Sequence, residues 1–137
     1  MITEELIQAV KESEGFRSRV YKCTEGFDTI GYGFAIKDLE LDEEICEMIL
    51  QTKLNKMCAY ANRKMPFLMT MPVEIQDVVL EMCYQIGVDG VTKFKKTLAL
   101  LKREEFAEAA VEMLDSKWAK QTPNRAKRLS EKVKSCD

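Results

Sequence analysis

Residues 13–33 read SEGFRSRVYKCTEGFDTIGYG. The first residues close a helix, because Thr3 can cap a segment whose first turn holds Glu4 and Glu5, whose apolar face is Leu6, Ile7 and Val10, and whose end is marked by Gly15. Glu14 is thereby placed at a helix C-terminus. The chain then alternates from Arg17 to Cys23, meets a Glu25-Gly26 turn signal, and alternates again through Ile30, Tyr32, Phe34 and Ile36. The pattern predicts a β-hairpin over about 17–36.

Beyond residue 40 the periodicity becomes helical. Leu41-Asp42-Glu43-Glu44 opens a long helix with Ile45, Met48 and Ile49 on one face, and Arg63 and Lys64 close it in the sense the helix dipole favours. Met65-Pro66 to Met71-Pro72 breaks it, since proline removes a donor and disfavours helix in the residue before it. Pro72 suits the first turn of the next helix, where Ile75, Val78, Val79, Met82, Cys83 and Ile86 recur at spacings of a deeply buried face and Gly87 ends the run. Shorter helices are predicted around Phe94 to Leu101 and Glu104 to Leu114, and Thr122-Pro123 starts the last one with threonine as cap. The fold class is α+β: a small N-terminal sheet, then helices only.

The 137 residues can bury one good core but not two independent ones. Charged residues interrupt the only candidate leader, and no apolar run approaches the ~18 residues of a membrane span, so a soluble cytoplasmic product without signal peptide or membrane insertion is expected, and with it a monomer. Cys23, Cys46, Cys58, Cys83 and Cys136 form no C-x-x-C pair and have no histidine beside them, which argues against a zinc site. Cys46, Cys58 and Cys83 read as small buried hydrophobes in helices. The net charge of -2 hides an acidic run at 38–47 and a basic tail at 116–137, the latter read as a solvated helix face rather than a nucleic-acid surface.

Hydrolysis of a glycosidic bond needs an acid that protonates the leaving oxygen and a second group that supplies or activates the nucleophile. A glutamate leaving a helix and facing a hairpin is one way to arrange this, although a lone glutamate at a helix end is more often solvated than catalytic. Cys23 alone reads as a packing residue and Thr29 as a β-former. Gly31-Tyr32-Gly33 lacks the further glycine and subsequent helix of a dinucleotide site.

Together these residues carry more. Glu14, eight residues, Cys23, five residues, Thr29 resembles the catalytic signature of phage-type lysozymes, the endolysin family of the T-even bacteriophage enzyme, whose middle position is aspartate or cysteine. EGFRSRVYKCTEGFDTIGYG resembles that family's first helix end and hairpin. YQIGVDGVTKF and AAVEMLDSKWAKQTPNRAKR resemble its C-terminal helical lobe.

The resemblance implies a lysozyme-like fold, with an N-terminal lobe over about 12–60, a larger helical lobe over about 61–137 joined by helix 1 at about 3–13, and a cleft between them. It also implies a muramidase that cleaves the β-1,4 bond between N-acetylmuramic acid and N-acetylglucosamine in peptidoglycan, with no metal or organic cofactor. By positional match Glu14 is the general acid, Arg125 its paired arginine, Thr29 the holder of the attacking water and Gly31 the open floor of the cleft. Glu25, Tyr84, Gln85, Gln121 and Asn124 match substrate-binding positions, and Trp118 matches a core tryptophan. Cys23 is left between base, electrostatic partner and nucleophile, because a free thiol of pKa ~8.5 is only slightly ionised at neutral pH. A catalytically weak glycan-binding module is the alternative; a helical interaction protein or nucleic-acid binder would leave the hairpin residues unexplained.

Overall fold

The computed structural model describes residues 1–137, which divide into two compact units, 1–46 and 47–137. The first contains α1 (Glu4–Glu14) and a three-stranded antiparallel sheet in the order β1 (Arg17–Lys22), β2 (Asp28–Gly31), β3 (Phe34–Ala35). Thr3 caps α1 as expected, its Oγ accepting the Leu6 N–H at 3.1 Å, and Gly15 ends it at φ 71°.

The hairpin differs from its expected form in one respect. The run Ile30 to Ile36 is two strands, not one, because Gly31 and Gly33 adopt φ of 72° and 77° and turn the chain between β2 and β3. Thr29 pairs with Tyr21 on one side and Ala35 on the other, with a bulge between Arg17 and Tyr21. This unit builds little core: Thr29 is its one buried residue, at 3% exposure, and the apolar face of α1, Leu6, Ile7 and Val10, stands exposed.

The break between units falls inside α2 (Glu43–Lys64), whose acidic first turn and basic last turn suit the dipole. A short 3-10 segment, Pro66–Thr70, leads to α3 (Val73–Ile86), with Pro72 just before the helix as its cap residue. Then come α4 (Val88–Thr92), α5 (Lys95–Lys102), α6 (Phe106–Leu114), α7 (Lys117–Gln121) and α8 (Pro123–Lys134). The periodic residues of α3, Ile75, Val78, Val79, Met82 and Cys83, are all buried, and they join Phe106, Ala109 and Met113 of α6 and Ala126, Leu129 and Val133 of α8 in one core. Each large apolar side chain so buried contributes ~1.5–3 kcal/mol before entropy is counted.

Three local expectations are corrected. Cys46 is exposed and Cys58 half-buried; only Cys83 of the three is a core residue. Thr122 precedes α8 but does not cap it with its side chain, since its hydroxyl donates instead to the Trp118 carbonyl at 3.0 Å. No helix is long and apolar enough to cross a membrane.

Candidate active site

Glu14 is the last residue of α1, and the Gly15 cap swings the chain directly into β1. Its exposed side chain lies against Gly33 in the turn between β2 and β3. A Cβ placed on Gly33 would stand 3.0 Å from Glu14 Cδ and closer still to Oε2. Gly33 is therefore a site residue that the sequence reading missed, although the Gly-Tyr-Gly pattern was its signal. Gly31 lies against the Phe34 ring, which a Cβ at that position would meet at 2.7 Å. Phe34 belongs to an aromatic row with Tyr32 and Phe16, at centroid separations of 6.4 and 5.4 Å.

Cys23 begins the turn that joins β1 to β2. Its N–H donates to the Phe27 carbonyl at 2.9 Å, and its own carbonyl accepts the Gly26 N–H at 2.9 Å, with Gly26 at φ 85°. The consequence is electrostatic. Backbone hydrogen bonds from Phe27 and then Glu25 favour the thiolate and outweigh partial burial and the Glu25 carboxylate, which oppose it, so Cys23 is held below the usual thiol range.

The turn thus brings Cys23, Glu25 and Thr29 together. Thr29 also donates its hydroxyl to the Phe27 carbonyl at 2.9 Å, which fixes the rotamer and leaves its oxygen lone pairs free to accept. Lys22 takes no part in this charge balance: its Nζ is 2.7 Å from Asp28 Oδ1 across the strands.

In the second unit the matched residues fall into two groups. The indole Nε1 of Trp118, 5% exposed, donates to Gln85 Oε1 at 2.8 Å, while Gln85 Nε2 reaches Thr122 Oγ1 at 3.5 Å. Much of the amide expected to read substrate is thus spent on tying α3 to α7 and α8. Phe94 packs edge-on against the indole, with centroids 6.2 Å apart. Trp118 and the exposed Gln121 line a pocket of about 410 Å³ together with Phe94, Thr97 and the lysines 93, 95, 96 and 117. That lysine rim was not singled out from sequence, because its members come from separate elements.

Arg125 is held within its own unit by Glu81, whose Oε2 accepts from Arg125 Nε at 2.8 Å and from Arg128 Nη2 at 2.5 Å. Partial burial pushes the Glu81 carboxyl up, and the two guanidinium groups outweigh that and hold it below the usual carboxylate range. Glu81 and the half-exposed Tyr84 line a groove of about 650 Å³ with Leu50, Leu54 and Leu80. Asn124 is exposed in the first turn of α8.

The phage lysozyme family model matches residues 11–134. Two relatives from Dictyostelium discoideum, probable T4-type lysozymes 1 and 2, are 31% and 30% identical to the chain over 149 and 151 aligned positions, covering 88% of each partner in both comparisons. A family match along nearly the whole sequence, with relatives about 30% identical over most of their length, leads to one conclusion: the chain belongs to the phage lysozyme family.

Proposed function

We propose that this glycoside hydrolase is a peptidoglycan muramidase in which Glu14, Cys23 and Thr29 carry the reaction. The scissile bond is the β-1,4 linkage from N-acetylmuramic acid to N-acetylglucosamine. Glu14 gives its proton to the glycosidic oxygen as the bond to the muramic acid C1 breaks. A water accepted by the Thr29 lone pairs attacks C1, and its proton passes to the Cys23 thiolate. A thiolate also stabilises the positive charge that develops on the sugar, so base and electrostatic partner are two aspects of one negative sulfur.

The observation that supports this reading is the turn that ties Cys23 and Thr29 to one residue, the Phe27 carbonyl accepting both the Cys23 N–H and the Thr29 hydroxyl at 2.9 Å. Glu14 is exposed in the free chain, open to a bound glycan. The pairing of Arg125 with Glu14 rests on the family match alone; within its own unit the Arg125 guanidinium is held by Glu81. Glu25, Tyr84, Gln121 and Asn124, with the remaining N–H of Gln85, bind acetamido and hydroxyl groups along the glycan, and Gly31 shapes the floor beneath it.

The test is product chemistry. Peptidoglycan digested with the purified protein should yield fragments whose new reducing ends are N-acetylmuramic acid. Reducing ends of N-acetylglucosamine, or fragments released only by peptide cleavage, would overturn the assignment.

A further inference from the structure

The second unit holds another pocket, of about 520 Å³, lined by Lys64, Met65, Phe67, Lys95, Leu98 and Lys102 among others, none of which the proposed mechanism uses, although Lys95 also lines the Trp118 pocket. One wall is a single face of α5. Lys95, Leu98, Ala99 and Lys102 stand at i, i+3, i+4 and i+7, so two turns of helix carry an ammonium at each end and apolar groups between. The facing wall is the chain that leaves α2, from Lys64 through Phe67. Met65 and Leu98, 3% and 9% exposed, form the floor.

Three features of this pocket point to a ligand with two parts. Its lining contains three lysines and no carboxylate, and none of the three takes part in an ion pair. In a chain of net charge -2 such a concentration of uncompensated ammonium groups is local and specific. The Trp118 pocket differs, since there Lys96 is 3.4 Å from Glu112 and Asp115 also lines the wall.

The lysines are also partly placed by rings, with Lys102 Nζ 5.1 Å from the Phe67 centroid and Lys64 Nζ 5.8 Å from that of Tyr60. Tyr60 is itself held in place, its hydroxyl donating to Asp89 Oδ1 at 2.7 Å. Between the cations lies an apolar surface that inorganic ions alone would leave unfilled, in a volume that suits a small organic molecule.

We propose that this pocket binds an amphiphilic anion: a phosphate or carboxylate head held by Lys64, Lys95 and Lys102, on an apolar body laid over Met65, Phe67 and Leu98. Binding there is independent of the muramidase reading. Calorimetric titration of the full chain with octyl phosphate, octanoate, inorganic phosphate and octyl glucoside separates the contributions. Saturable binding is expected for octyl phosphate, octanoate or both, and which of them binds identifies the head group. Inorganic phosphate, lacking the body, and octyl glucoside, lacking the charge, should each bind at least ~10-fold more weakly. The exposed pair Lys64→Gln and Lys102→Gln, combined, should lower the affinity for the binding octyl anion ~10-fold while leaving the fold intact. Equal binding by that variant, equal binding of inorganic phosphate or octyl glucoside, or no saturable binding of either octyl anion would each overturn the proposal.

Discussion

Glu14 and Gly33 are matched: the carboxyl group at the end of α1 occupies the space a Cβ on residue 33 would need, 3.0 Å from Cδ. Because Gly33 also sits at φ 77°, alanine there both strains the turn and displaces the Glu14 carboxyl, the proposed proton donor. Gly33→Ala should lose ~10- to 100-fold in kcat/KM on peptidoglycan, the scale of a misplaced catalytic group, with a stability cost of ~1–2 kcal/mol. Gly26→Ala is the control, since Gly26 has φ 85° with nothing within 4 Å of its Cβ position. It should show a similar fall in Tm with much more of the activity retained; equal activity losses would mean that backbone strain alone is being measured.

Cys23 and Cys83 ionise in opposite senses. Burial, and secondarily Cys58, push the Cys83 thiol up to about 11, whereas the turn holds Cys23 below the usual thiol range. Alkylation by iodoacetamide, with mass spectrometry across pH 6–9 (roughly the span around a free thiol's pKa), should therefore label Cys23 at lower pH than Cys83. Wall-clearing activity should fall in step with Cys23 labelling, and Cys23→Asp should retain activity while becoming insensitive to the reagent. Full activity with Cys23 quantitatively modified would remove the sulfur from the mechanism.

Glu81 couples α3 to α8 through two guanidinium groups. Its folded-state carboxyl titrates below its unfolded value, so the stability it contributes is present above the unfolded carboxyl pKa of ~4.3 and is lost as pH falls through the lowered folded value. Thermal unfolding should show Glu81→Gln less stable than the parent by ~1 kcal/mol at pH 7, with the gap narrowing as the solution is acidified below that carboxyl range. A gap independent of pH would show that packing, not charge, is what the substitution removes.

Trp118 is the single tryptophan and is anchored by Gln85. Trp118→Phe leaves Gln85 Oε1 without its donor in a half-buried position and thins the packing on Phe94, so a loss of ~1–3 kcal/mol is expected in denaturant unfolding. Gln85→Leu, observed by the same indole's fluorescence, should alter the emission of the folded state. An unchanged spectrum would indicate that the hydrogen bond does not form in solution.

Legibility in the sequence tracks the range of the forces involved. Thr3, Gly15 and Gly87 were readable because caps act over one turn, and α3 was readable because its buried face repeats at helical spacing. The turn at Tyr32-Gly33 was hidden by Tyr32, Phe34 and Ile36, which alternate as one strand would, although Gly31 and Gly33 break the chain between them. Helices α4 and α7 have five residues each, too few for periodicity to register. Cys46 was misread because its helix neighbours are apolar, yet Ile45, Met48 and Ile49 are themselves exposed.

In the candidate site, Cys23 and Thr29 lie close in the chain and their spacing carried the family pattern. The Arg125–Glu81 pair spans 44 positions and the Trp118–Gln85 pair 33, so no local pattern announced either.

The proton that Glu14 delivers is the centre of the proposed reaction. Glu14→Gln keeps the shape of the side chain and removes that proton, so the decisive measurement is the rate at which new N-acetylmuramic acid reducing ends appear when parent and variant digest the same peptidoglycan. A fall of ~10²–10⁴-fold with an unchanged Tm is the expected result. Release at the parental rate by a folded Glu14→Gln protein would contradict Glu14 as the acid.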